Sequence, residues 1–119
     1  MPLDLDRLFA LYDDIIKKAE LVGIGTASKI RITFKDASYL DIWFSESGRY
    51  SYHWERRHID GKVFRFDNAP HHVGVNTYPH HVHDGAEDKV TNSWISHDPG
   101  QAIFQVLGFI RRELDKTEI

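Results

Sequence analysis

Five of the eight histidines in this chain lie between His71 and His83, as the doublets Pro70-His71-His72 and Pro79-His80-His81 followed by His83. Arg65 and Asp67 stand just upstream, and His53 precedes them by about one strand and a turn. An imidazole has an unperturbed pKa of about 6.5, so it can take a proton at one step and return it at another. Three chemistries fit this inventory. In the first, one imidazole removes the 2'-hydroxyl proton of RNA, a second protonates the leaving oxygen, and an arginine neutralises the phosphate. In the second, His71, His81 and His83, with His72 or Asp67 in reach, ligate zinc, nickel or copper through neutral imidazole. In the third the segment is structural: Asp67-Asn68-Ala69-Pro70 is good turn chemistry, and histidines can satisfy buried carbonyls.

Packing explains any single histidine here better than it explains the cluster, and for the cluster we favour function. Metal-free acid-base chemistry is the preferred form, with no cofactor, because neither a His-Glu-x-x-His nor a cysteine-containing zinc signature is present. The absence of cysteine also removes disulfides and thiol nucleophiles. No Gly-x-Ser-x-Gly elbow supports a serine hydrolase, and Gly23-Ile24-Gly25 is too short for a phosphate-binding loop.

The elements that must position these residues can be read from periodicity. From Leu5 to Val22 apolar residues recur at helical spacing, with Asp4 or Asp6 to cap the start and Gly23 to stop it. Alternating segments follow at Ile30–Phe34, Tyr39–Phe44, Tyr50–Trp54 and Val63–Asp67, joined by turns at Lys35-Asp36-Ala37-Ser38, Ser45-Glu46-Ser47-Gly48 and Asp60-Gly61. Residues 68–96 show little periodicity, and only Pro79–His83 reads as a short edge strand. Asp98-Pro99-Gly100-Gln101 opens a last helix whose apolar stripe is Ala102, Ile103, Val106, Leu107, Ile110 and Leu114. The expected fold is α+β: an antiparallel meander of four to five strands, with an N-terminal and a C-terminal helix packed on one face.

Strand parity then sorts the side chains. Ile32, Ile42, Tyr52 and Phe64 share the face expected under the helices, while Arg31, Trp43, His53, Glu55, Arg65 and Asp67 share the other. That second face is expected to be open and to suit an anionic substrate, although the solvated side of an antiparallel sheet is the plainer explanation.

At 119 residues, 41% hydrophobic and 13% aromatic, the chain reads as a single domain. A net charge of -3 lacks the basic excess of a general nucleic-acid binder, so any such contact must use a local patch. The N-terminal segment carries acids where a signal peptide has bases and contains no long apolar run; the expected location is the cytoplasm, with no membrane partner.

Tyr52-His53, Arg65-Phe66-Asp67-Asn68-Ala69-Pro70-His71-His72 and Thr77-Tyr78-Pro79-His80-His81-Val82-His83 together resemble the TumE-type toxins, a small prokaryotic family. The resemblance implies the toxin of a toxin-antitoxin pair, with a helix-turn-helix antitoxin as partner. The residue types add RNA as target, with His53, Arg65, Asp67, His71, His72, His81 and His83 as candidate catalytic groups. Arg31, Trp43, Asn68 and Tyr78 are candidate substrate contacts, Trp43 or Tyr78 by stacking on a base. A homodimer is an allowed state. The rival functions are a non-catalytic protein- or nucleic-acid-binding module and a hydrolase whose metal is held by His71, His81 and His83.

Overall fold

A computed structural model describes residues 3–23, 25 and 28–116. The order of elements is α1 (Leu5–Tyr12), β1 (Ile16–Val22), β2 (Lys29–Phe34), β3 (Tyr39–Phe44), β4 (Tyr50–Arg56), α2 (Arg57–Asp60), β5 (Lys62–Asp67), β6 (His81–Gly85), β7 (Val90–Asn92) and α3 (Pro99–Lys116). The class is α+β, but among the described residues the sheet has seven strands rather than four to five. The chain divides into two compact units, one formed by the residues up to Ile16 with those from Trp94 onward, the other by Lys17–Ser93. No helix of the described residues is long and apolar enough to cross a membrane.

In the first unit, α1 starts where its cap predicts, with the Asp4 carboxylate accepting the Arg7 N–H at 3.1 Å. It ends at Tyr12, well short of Val22. Asp13 and Asp14 place negative charge at the helix C-terminus, where the exposed carbonyls disfavour it, and the β-branched Ile15 and Ile16 follow. The rest of the expected helix is strand β1, at one edge of the sheet. Its spacing misleads because burial along it recurs at Ile16, Ala19 and Val22 while Lys17, Lys18, Glu20 and Leu21 are exposed, so an edge strand imitates a helical stripe. Ile24, the centre of the expected helix stop, lies outside the described residues. In α3 the buried residues are the six expected from periodicity. Tyr12 donates its hydroxyl to the Phe104 carbonyl at 3.3 Å, and Arg111 donates to the Leu11 carbonyl at 2.7 Å with its guanidinium over the Tyr12 ring.

The sheet of the second unit runs β1 to β7 in sequence order, and β2 to β7 pair antiparallel. The β2–β3 turn places Ala37 at φ 74, and Ser38 anchors it: its hydroxyl donates to Asp36 at 2.6 Å and accepts the Trp54 indole N–H at 3.0 Å. Register aligns Ile30, Ile42, Tyr52, Phe66 and Val82 in one row, and Ile32, Leu40, Trp54 and Phe64 in the next. All nine are buried. The stretch expected to be loop supplies β6 and β7, and β6 is an interior strand between β5 and β7, not an edge. Its His-Val-His alternation reads as polar and exposed, yet His81 and His83 are 1% and 3% exposed. Histidines that are buried together defeat a rule that equates polarity with solvent.

Burial sets the energetic contrast within this unit. Phe66, 1% exposed, should cost about 3–5 kcal/mol when truncated to Ala. The exposed His71 should stay within about 0.5 kcal/mol. Urea unfolding of the two variants checks this, and equal losses would contradict the assigned core.

Candidate functional site

The ladder brings the charged parity together. One row across the sheet reads Arg31, Asp41, His53, Arg65 and His83, and the next reads Trp43, Ser51, Asp67 and His81. Cα partners in a sheet point their side chains to the same face, so residues distant in sequence share one surface. The expectation of an open face needs correction. Asp41, Glu55, Asp67, His81 and His83 are all buried. Over β5 and β6 the cover comes from the loop 68–80, whose His72 ring lies 4.6 Å from that of His81 and 5.3 Å from that of His83.

Asp67 is the centre of this covered zone. Its carboxylate accepts the Arg65 Nε–H at 3.0 Å and the Ala69 N–H at 2.9 Å. His81 Nε2 lies 3.1 Å from one of its oxygens and His83 Nε2 3.6 Å from the other. The two imidazoles are 3.2 Å apart through those same Nε2 atoms. Their other nitrogens face carbonyls: His81 Nδ1 is 2.9 Å from the Pro79 oxygen and His83 Nδ1 2.8 Å from the Glu87 oxygen. A carbonyl only accepts, so both Nδ1 atoms carry hydrogen and both Nε2 lone pairs turn inward in the neutral rings. Burial holds the His83 pKa below the ordinary histidine value. Arg65 completes the zone with Nη2 3.1 Å from His83 Nε2 and a two-bond fork on Glu87 at 2.7 and 2.8 Å. Tyr50 lies beside this centre, and burial followed by the Asp67 charge raises its hydroxyl to about 12.

The adjoining zone, over β2 to β4, is a cleft of about 330 Å³. Trp43, Ser51 and His53 line it, with Arg31, Lys29 and Tyr39 on the far side. Asp41 pairs with both cations, at 2.8 Å to Lys29 and 2.8 Å to Arg31, and the Arg31 guanidinium lies 4.1 Å over the Tyr39 ring. His53 Nε2 is 3.1 Å from the Glu55 carboxylate. Glu55 in turn accepts two bonds from the Arg57 guanidinium and one from its backbone N–H. The Arg57 bonds outweigh burial and hold the Glu55 carboxyl down at about 2. A permanently charged Glu55 keeps a hydrogen on His53 Nε2 and leaves Nδ1 as the basic nitrogen.

Not every candidate joins these zones. His71 is exposed, and the ring nitrogens that lie within 4.8 Å of one another belong to His72, His81 and His83; the set with His71 in it needs that exchange. Asn68 is structural, accepting the Tyr50 N–H at 2.9 Å and donating to the Gly48 carbonyl at 2.9 Å. Tyr78 is 45% exposed and does not line the cleft. His80 stacks on Tyr50 and shares a 2.9 Å bond with its hydroxyl. Lys29, Tyr39 and Glu87 were absent from the candidates, and Glu55 was placed on the shared face without a role. Parity places Glu55 beside His53, so that pair was within reach of the sequence; Glu87 arrives through a loop and carried no such signal.

A family model described as "Toxin TumE" matches residues 5–114. The chain belongs to the TumE toxin family. Both zones fall within the matched residues, and membership makes the chain the toxin of a toxin-antitoxin system with an antitoxin as its partner. No curated protein and no solved structure matches the chain.

The depressed Glu55 pKa has a pH consequence. Its folded value, about 2, lies below its ordinary value of about 4.3, so its stabilisation is present above pH ~4.5 and is lost as pH falls toward 2. Glu55→Gln should therefore flatten the acid limb of stability against pH, as followed by urea unfolding between pH 2 and 6. An unchanged slope would show that the Arg57 pairing is not felt in solution.

Proposed function

We propose that this TumE toxin acts in the cytoplasm by cleaving RNA through metal-free imidazole and guanidinium chemistry on the charged sheet face, and that a helix-turn-helix antitoxin restrains it. The observation that carries this reading is the direct pairing of His53 with Arg65 across β4 and β5, beside a cleft walled by Trp43 and by cations. A base stacked on Trp43 would place its phosphodiester toward Arg65, and cation and aromatic are the two contacts that single-stranded RNA requires.

The partners of each group suggest a division of labour. His53, with Glu55 fixing its tautomer, takes the 2'-hydroxyl proton on Nδ1 as the 2' oxygen attacks the neighbouring phosphorus. Arg65 exchanges its exposed partner Glu87 for the phosphate oxygens and stabilises the added charge; the Glu87 side chain is 46% exposed and free to yield. The bond to the 5' oxygen breaks, and that oxygen leaves with a proton from an imidazole on the loop 68–80. His71 and His72 have the solvent access for this step. His81, His83 and Asp67 are too buried to meet substrate and serve to hold Arg65 in place. The products are a 2',3'-cyclic phosphate and a 5'-hydroxyl.

His53→Ala should lower cleavage of a defined single-stranded RNA by about 10²-fold or more, with the urea midpoint nearly unchanged. The wild-type rate should rise and then fall across roughly pH 5 to 8, as one imidazole must be neutral and another protonated. Full cleavage by His53→Ala would remove His53 from the reaction. Toxicity without cleavage of any RNA would favour the binding-module alternative.

A further inference from the structure

We propose that Asp67, His72, His81 and His83 form a binding site for one divalent transition-metal ion of zinc type, which clips the loop 68–80 onto the strands it connects. The site lies in the covered zone and uses none of the residues that line the cleft, but it shares His72 with the loop imidazoles and Asp67, His81 and His83 with the support of Arg65, so its test reads metal binding and not RNA cleavage.

The tautomers carry the argument. With both Nδ1 hydrogens committed to carbonyls, the Nε2 lone pairs of His81 and His83 face one another at 3.2 Å, and the Asp67 carboxylate faces both at 3.1 and 3.6 Å. Arg65 donates to Asp67 and to His83, which leaves the His81 lone pair turned toward two acceptors, an arrangement that a further cation relieves. The spacing suits a metal: two ligands at about 2.0–2.1 Å from a tetrahedral zinc lie roughly 3.3 Å apart, close to the 3.2 Å between the two Nε2 atoms and the 3.1 Å from His81 Nε2 to Asp67 Oδ1, while His83 faces the other oxygen, Oδ2, at 3.6 Å, so the carboxylate must turn to serve both. His72 contributes the fourth ligand. Its ring nitrogen falls within 4.8 Å of the other two, and the residue is only half-buried on a loop free of helix and strand, so a small rotation closes the set. The Nδ1 bonds to backbone carbonyls are the outer contacts by which metal-ligating histidines are oriented. Imidazole nitrogens with one carboxylate in tetrahedral array select zinc, cobalt or nickel over magnesium or calcium.

Arg65 is a cation in the way, since its Nη2 donates to His83 Nε2 at 3.1 Å. That nitrogen also bonds Glu87 at 2.8 Å and stays paired when His83 turns to the ion. With Asp67 and Glu87 against Arg65, the group carries one net negative charge to meet the metal. A set of four protein ligands, three of them buried, leaves no open position, which is the form of a structural site. It would cross-link the middle of the loop to both strands, and such links across flexible loops limit the freedom of the unfolded chain.

The test uses the full, untagged chain stripped with chelator and titrated with cobalt(II). The expected result is a visible absorption band of tetrahedral intensity that saturates at one equivalent and is displaced by zinc. Zinc should also raise the melting temperature and slow amide exchange across residues 68–80. His72→Ala, a half-buried loop change that leaves the strands intact, should weaken cobalt binding at least 100-fold, while His58→Ala should bind as wild type. Should Asp67→Asn or His81→Ala fail to fold, the wild-type titration and His72→Ala still decide. Absence of the band together with an unchanged melting temperature overturns the proposal, with a shared proton left as the cation between the imidazoles. Equal binding by His72→Ala and wild type overturns it as well.

Discussion

The charged half of this protein depends on one carboxylate. Asp67 lies at the end of β5, 6% exposed, and answers a guanidinium, a loop amide and two imidazoles at once. A buried carboxylate is costly unless its lone pairs are taken. Here its needs dictate the neighbours: Arg65 two residues back on the same face, His81 directly across the ladder, and the Ala69 N–H at the start of the loop. The Arg-x-Asp spacing and the His-x-His spacing are therefore one requirement stated on two strands, since period two is what places both members on the same face. Removing Asp67 would leave Arg65 and both imidazoles to reorganise together.

This centre divides the sheet face into zones with different tasks. Over β5 and β6 the loop covers the face, and His81 and His83 are buried beneath it. Over β2 to β4 the face remains accessible, and there the His53 and Glu55 pair, with Trp43 and two cations, forms the cleft. Arg65 is the ladder neighbour of His53 at the border of the two zones, anchored by Asp67 on one side and held by an exposed glutamate on the other. An arginine tied at Nε by a buried carboxylate and forked at its other two nitrogens by an exposed glutamate would lose little entropy if an anion took that glutamate's place. The acidic overall balance of the chain is then no obstacle, because the cations that matter are local.

Much of this was legible where residue alternation and burial coincide. Strand parity sorted the side chains of β2 to β5 onto two faces, though not their pairing register, and the apolar stripe of α3 was complete. Sequence reasoning failed where burial and polarity part company. β6 looked like an edge because its inward residues are histidines, and β1 looked like helix because an edge strand of lysines shows no period-two signal. The segment from Arg65 to His83 was identified as the informative one, but the path of its loop was not, so His71 and His72 were interchangeable on paper and only His72 reaches the imidazole pair. Glu87 enters the Arg65 fork through a loop contact across 22 positions, a separation for which no local pattern exists.

The chemistry assigned to the cleft is tested most directly by the ends it leaves on RNA. Mass spectrometry of a defined oligonucleotide after incubation with the toxin should find 2',3'-cyclic phosphate or its 3'-phosphate product paired with 5'-hydroxyl ends, because the nucleophile is the 2'-hydroxyl. Products bearing 5'-phosphate and 3'-hydroxyl would mean that water attacked instead, and would contradict the acid-base account.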